Sequence, residues 1–352
     1  MSDALSPMEM NTVERVIPKD ELKKLLQAEM EKGTRVVAPV QLDEGRFYSA
    51  VSQVDAIDWD QTGKPPVRSL KEFFFPKTEP LLSYRYHQDG LEVDPPQEPV
   101  NTLIVGARPC DVRALLLLDK VFGWDYDDDL YKKRREASTI VTFLCESDDE
   151  DCFCEMLGSS RDDTTGSDLF LIPTEKGYIA EAVTDKGTRL METHGDRFQE
   201  QDVSRPQVER KQSPGVEDMD ALVGWLGESF DNEAWAQLGI RCLGCGACAH
   251  VCPTCHCFDI VDEPDDTATG TRRRNWDSCQ VPLFTLHASG HNPRDLQFER
   301  YRQRILHKFS YFPERFESVL CTGCGRCSRA CPADQNLLGV LEDLWSLAQQ
   351  SK

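Results

Sequence analysis

Cysteine recurs in this chain at one spacing in two places. Cys242, Cys245, Cys248 and Cys252 are followed by Pro253, and Cys321, Cys324, Cys327 and Cys331 by Pro332. Each is a C-x2-C-x2-C-x3-C-P run, the arrangement that holds cubane [4Fe-4S] clusters in two-cluster ferredoxins. Three thiolates two residues apart wrap one cubane from a single tight loop. The fourth points along the next turn toward the other cluster, so the two runs must fold against each other. The expected ligand sets are Cys242, Cys245, Cys248 and Cys331 for one cluster, and Cys321, Cys324, Cys327 and Cys252 for the other. Gly244, Gly246, Gly323 and Gly325 fit such loops, which need positive φ and close backbone approach. Zinc is the competing occupant, since it also uses C-x2-C pairs. Four thiolates from two pairs would serve it, and the tripled spacing with proline, written twice, does not follow that pattern.

The chain has 352 residues and 39% hydrophobic composition, enough for two ordinary cores. Fifteen cysteines in a secreted protein would mean a disulfide scaffold, but Met1 to Met10 has neither the basic start nor the apolar stretch of a signal. The expectation is a soluble, cytoplasmic protein whose cysteines are ligands or buried thiols. The most apolar short stretch, Ala114 to Leu118, is broken at once by Asp119 and Lys120, so no direct membrane insertion is expected. The net charge is −21, yet residues 241–352 hold 13 Lys plus Arg and 13 Asp plus Glu, which puts the whole acidic excess before residue 241. No basic stripe of the size nucleic acid needs is present. The one basic run, Arg272, Arg273 and Arg274, reads as a solvated loop.

Periodicity predicts a helix over Asp20–Lys32 and short strands at Arg35–Val40 and Phe47–Ser52. Thr102–Val105, a helix from Cys110 to Val121, and Thr139–Leu144 form strand, crossover helix and strand, the signature of a parallel βαβ unit. Two more strands are expected at Leu169–Ile172 and Tyr178–Val183. The sequence turns polar from Gly195 to Asp220, with Pro206 and Pro214. Helical periodicity follows at Met219–Leu226, Tyr301–Phe309 and Leu337–Leu347. The resulting fold class is α+β in two domains: residues 1–200 as a mixed α/β domain with a βαβ unit, residues 201–220 as a polar linker, and residues 221–352 as a mainly helical, two-cluster ferredoxin-like domain.

Cys110, Cys145, Cys152 and Cys154 are the four cysteines of the first half. In the βαβ reading Cys110 and Cys145 both lie at the carboxyl ends of strands, where open α/β sheets place ligands, and Cys152 and Cys154 follow on the next loop. They are a candidate third [4Fe-4S] site, against the plainer account of buried thiols. Asp111 is a weaker substitute ligand. Cys255, Cys257 and Cys279 are left over, one short of a cluster set, with His256 the nearby candidate to complete it; otherwise they shape the surroundings of a cluster. His287 and His291 are four apart, but Gly290 argues against a helix that would pair them. No G-x-G-x-x-G follows a strand, and there is no phosphate loop, G-x-S-x-G or H-E-x-x-H. No catalytic residue is therefore assigned, and terminal chemistry is expected to lie elsewhere.

Gly106-Ala-Arg-Pro-Cys-Asp111, Leu118-Asp-Lys-Val-Phe122, Cys145 with Cys152-Phe-Cys154, Cys252-Pro-Thr-Cys-His-Cys-Phe-Asp259, Trp276-Asp-Ser-Cys279 and His287-Ala-Ser-Gly-His-Asn-Pro-Arg294 together resemble the beta, iron-sulfur subunit of soluble [NiFe] hydrogenases of the sulfhydrogenase type. The same pattern resembles the iron-sulfur subunit of anaerobic sulfite reductase. The resemblance spans about residues 100–335. It implies an electron-transfer subunit of a hetero-oligomeric oxidoreductase in anaerobic metabolism. Such a chain relays electrons between two other subunits, one flavin-containing and NAD(P)H-reactive, the other catalytic, and is not catalytic alone. The resemblance carries ligand roles to the eight ferredoxin-type cysteines and to Cys110, Cys145, Cys152 and Cys154. The competing reading is a self-sufficient reductase of sulfur compounds using a cluster or Cys255, Cys257 and Cys279.

Overall fold

The computed structural model describes residues 12–147, 149–208 and 215–351. Part of the polar stretch expected to link two domains, and the opening Met1–Met10 segment, lie outside the described residues. The strands are β1 (Thr12–Ile17), β2 (Arg35–Leu42), β3 (Gly45–Val51), β4 (Thr78–His87), β5 (Gly90–Asp94), β6 (Thr102–Ala107), β7 (Ser138–Phe143), β8 (Leu169–Thr174), β9 (Gly177–Ala182), β10 (Gln199–Val203), β11 (Phe258–Pro264) and β12 (Thr269–Trp276). Eight of them form a sheet in the order β10-β1-β9-β8-β7-β6-β2-β3. Its centre is parallel, with β2 on β6, β6 on β7 and β7 on β8, and its flanks are antiparallel.

The sheet is covered on both faces, as a parallel centre requires. On one side lies α1 (Lys19–Glu31), whose Leu22, Leu25 and Leu26 recur at helical spacing and pack with Val36, Val105, Val141 and Leu171. Each such leucine contributes about 1.5–3 kcal/mol by leaving water. Gly33 ends that helix at φ 86°. Met191 of α5 (Asp185–Thr193) joins the same face. On the other side are α2 (Lys71–Phe74), α3 (Pro109–Phe122) and α4 (Asp129–Glu136), through Phe74, Val112, Leu115, Leu118 and Tyr131. The β6–α3–β7 unit is the expected parallel crossover. Pro109 stands in the first turn of α3, where its missing N–H costs nothing.

The second half supplies α6 (Met219–Glu228), α7 (Ala234–Gly239), α8 (Ala247–Val251), α9 (Gln297–Leu306), α10 (Phe312–Phe316), α11 (Arg326–Arg329) and α12 (Leu337–Gln350). Leu222, Trp235, Ile305, Phe309, Leu341 and Leu344 form its core, which also takes in Phe153 and Leu157 from the first half. A single π turn, His307–Tyr311, joins α9 to α10.

The expected division at 201–220 is crossed in a second way. Residues between the cysteine runs make the hairpin β11–β12, and β12 pairs with β4, completing a four-stranded sheet β11-β12-β4-β5 from both halves. The carboxy-terminal part is thus less purely helical than its periodicity predicts. Arg272–Arg274, expected in a solvated loop, lie on β12. Arg272 pairs with Asp262 and Arg273 with Glu263, while Arg274 is buried against Glu79 and Asp128. Arg134 closes on the same Glu79.

Candidate iron-sulfur centres

The two cysteine runs fold into matching loops. Gly244 and Gly246 stand at φ 67° and 75°, and Gly323 and Gly325 at 62° and 69°. Gly246 and Gly325 then cap α8 and α11. Left-handed backbone at these positions turns the chain around a volume, and glycine alone takes it without strain.

Three cavities are ringed by thiols. The first is lined by Cys242, Cys245, Cys248 and Cys331, together with Tyr301, Arg304 and Cys327. The second is lined by Cys252, Cys321, Cys324 and Cys327, with Phe153, Arg304 and Lys308. The third is lined by Cys110, Cys145, Cys152 and Cys154, with Arg108, Arg161 and Cys324. Among the described residues, no three His, Cys, Asp or Glu side chains converge as a single metal ion would require. The donor sets instead enclose space, at least four thiols to each cavity, and such a set fits a cubane.

Donors and cations face the sulfurs. Gln297 Nε2 donates to Cys242 Sγ at 3.2 Å and Arg304 Nε to Cys248 Sγ at 3.1 Å. Lys308 Nζ donates to Cys252 Sγ at 3.4 Å, Thr254 Oγ1 at 2.9 Å and the Leu320 carbonyl at 3.1 Å. Gly323 N–H donates to Cys321 Sγ at 3.4 Å, and Arg108 Nη1 lies 3.7 Å from Cys145 Sγ. Burial alone opposes charge on Arg304 and Lys308, yet the surrounding sulfurs, Cys248 and Cys327 for Arg304 and Cys252 and Cys255 for Lys308, hold both groups above their ordinary values. Burial pushes the thiols the other way, Cys321 and Cys152 up to about 12 and Cys327 and Cys154 up to about 11. A bound cationic centre such as iron would offset that cost for the thiols that burial holds protonated.

Cys110 and Cys145 follow β6 and β7 at their carboxyl ends, and the loop bearing Cys152 and Cys154 folds back over them onto the second cysteine run. Phe153 N–H donates to the Gly323 carbonyl at 2.8 Å, and Cys152 Sγ lies 3.6 Å from the Cys324 carbonyl. A β-carbon on Gly323 would stand 2.5 Å from the Cys154 nitrogen, and one on Gly325 2.7 Å from the Asp151 carbonyl oxygen. These glycines let the loops touch. Asp111, the substitute ligand considered from sequence, is engaged elsewhere. Its carboxylate forms a buried ion pair with Arg326 at 2.9 Å and accepts from Tyr48 Oη at 2.9 Å.

His256 places Nδ1 3.0 Å from the Thr254 carbonyl and packs against His307, with 5.4 Å between ring centroids. His287 and His291 sit in a turn through Gly290, which has φ 83°. Periodicity gave no sign of Lys308, Arg304, Arg326 or Gln297 as site residues. In sequence each looks like a surface polar residue, and only the packing of α9, the π turn and α11 turns them inward.

Residues 241–335 match the 4Fe-4S dicluster domain family. The chain is also 30% identical over 319 residues to the beta subunit of sulfhydrogenase 2 from Pyrococcus furiosus, an alignment covering 88% of this chain and 92% of the relative. The doubled cysteine loops and this similarity over most of both chains make the protein an iron-sulfur electron-transfer component of an oxidoreductase, and a member of the sulfhydrogenase beta-subunit family.

Proposed function

We propose that this chain is a three-cluster electron relay within a hetero-oligomeric complex. It carries electrons between two partner subunits, one flavin-containing and NAD(P)H-reactive, the other the site of the catalytic redox chemistry. The ligands would be Cys110, Cys145, Cys152 and Cys154 for an amino-terminal cluster, Cys252, Cys321, Cys324 and Cys327 for a central one, and Cys242, Cys245, Cys248 and Cys331 for a distal one. When bound, these clusters supply one-electron redox chemistry. The protein's share is to hold them in sequence, dry and charge-balanced.

The supporting observation is that neighbouring cavities share a thiol. Cys324 lines both the amino-terminal and the central cavity, and Cys327 lines both the central and the distal one. This order makes the amino-terminal and distal sites the two ports. At the distal site Cys245 is the one exposed cysteine of the fifteen, beside Ile240 and Leu243, which are 75% and 70% exposed. Among the described residues no helix is long and apolar enough to cross a membrane.

Iron and sulfide analysis of the anaerobically purified chain tests the reading. Three cubanes require about twelve of each, against about eight for two. The isolated chain should exchange electrons with dithionite and viologens without turning over hydrogen, sulfite or NAD(P)H. Eight irons with freely alkylated Cys110 and Cys145, or substantial turnover by the chain alone, would remove it.

A further inference from the structure

Cys255, Cys257 and Cys279 line none of the three thiol cavities. They gather instead at the base of the β11–β12 hairpin. Cys257 immediately precedes β11 and Cys279 follows β12 by three residues. The antiparallel register pairs Phe258 with Trp276, and Asp277 N–H donates to the Cys257 carbonyl at 3.0 Å. The chain then folds back and brings the Cys257 and Cys279 thiols near enough for each to perturb the other's titration. Gln280 Nε2 approaches that same sulfur at 3.6 Å. Both cysteines are partly exposed and neither is in a disulfide.

The surroundings favour thiolate chemistry. Lys71, on α2 of the other half, is 3% exposed. Its ammonium rests 3.8 Å above the Trp276 ring and donates to the Cys255 carbonyl at 2.9 Å. Burial pushes Lys71 below its ordinary value, and the sulfurs around it, Cys255, Cys252 and Cys257, oppose that shift. The neighbouring Cys257 thiol, aided by Gln280, Arg304 and Lys308, holds Cys279 below the ordinary thiol range, and the interaction with Cys279 together with burial holds Cys257 above it. One sulfur is thus set up as nucleophile and the other as the thiol that resolves it. Cys255 stands between this pair and the relay, since its thiol interacts with that of Cys252, the ligand proposed for the central cluster.

We propose that Cys257 and Cys279 form a dithiol–disulfide couple that exchanges two electrons with the iron-sulfur relay and reacts with small disulfides. The assignment rests on the relay reading for its supply of electrons. The Cys279 thiolate attacks one sulfur of a disulfide RSSR, forming a Cys279–SR bond and releasing RS⁻. Cys257 loses its proton and displaces the second RS⁻, leaving the Cys257–Cys279 disulfide. Two electrons, delivered one at a time from reduced clusters, and two protons then cleave that bond and restore both thiols. A one-electron relay gains in this way a site where electrons are stored in pairs.

The test uses the full-length holoprotein under anaerobic conditions, with glutathione disulfide as the probe. Peptide mapping of wild type after exposure to the probe should find the Cys257–Cys279 crosslink, and dithionite should remove it. In Cys257→Ser the mixed glutathione disulfide should persist on Cys279. Reductive titration of wild type should take about two more electrons per chain than Cys279→Ser, the equivalents of one disulfide, with iron content equal in both. Equal electron uptake, absence of the crosslink in wild type, or loss of about four irons in both variants, which would make these residues cluster ligands, overturns the proposal. The relay reading fails separately, on wild-type iron content, and the crosslink can be read whatever that content is.

Discussion

Replacing Lys308 with Met removes a buried ammonium while keeping most of the side chain's volume. Lys308 is 2% exposed, and its Nζ lies 3.4 Å from the Cys252 sulfur. In the proposed relay a positive charge there stabilises the reduced, more negative state of the central cluster, so its removal should lower that cluster's potential. If the incoming electron sat wholly on Cys252, an effective dielectric constant of 20 gives a loss of about 5 kcal/mol, or roughly 200 mV at 59 mV per tenfold change for one electron. The electron is shared over a cubane and most of it lies farther away, which reduces the expected fall to roughly 50–100 mV. EPR-monitored potentiometric titration of the holoprotein reads the shift directly. One cluster should move down and the other two should hold, with iron content unchanged. Should every midpoint remain within roughly 20 mV of wild type, about a third of a tenfold step, the ammonium is not acting on a cluster and the placement of the central site is wrong.

Three further outcomes follow from the geometry. Cys110→Ala or Cys145→Ala should lower iron by about four per chain while leaving the two ferredoxin-type clusters spectroscopically intact. Gly323→Ala should be far more disruptive than a surface methyl, because its φ of 62° and a β-carbon 2.5 Å from the Cys154 nitrogen both oppose it; iron analysis should show loss at the amino-terminal site. Arg326→Met strands the buried Asp111 carboxylate and should destabilise the fold by about 3–5 kcal/mol, whereas the double variant Arg326→Met with Asp111→Leu should regain part of that loss in chemical denaturation.

The parts of this structure legible in sequence are those fixed over short distances. The cysteine spacing and its glycines define each cluster loop within about a dozen residues, and the apolar runs of β6, β7 and β8 announce a buried parallel centre. The meeting of Cys110 and Cys145 was legible one step further out, because a parallel crossover puts both strand ends on the same side. The hairpin β11–β12 left no such trace. β11 is exposed at every residue but Val261 and therefore shows no alternation, and β4, on which β12 pairs, is likewise mostly open to water. Long-range polar pairing hid the rest. Arg274 finds Glu79 across 195 residues and Arg326 finds Asp111 across 215, and a lone charged residue does not reveal a partner at that distance.

The sheet that joins the two halves also orders the protein's birth. A ribosome releases β4 and β5 long before β12, so the nascent chain carries β4 with a row of unpaired backbone groups, an edge of the kind that recruits foreign strands. β12 protects that edge, and it emerges between the two cysteine runs. The loop holding Cys152 and Cys154 waits longer still, because Gly323 and Cys324, on which it closes, are made after β12. Iron delivery to the amino-terminal site is therefore expected to wait for the second cysteine run although its four thiols lie in the first half, and a chain cut short before β12 would expose both an adhesive strand and an open thiol cavity.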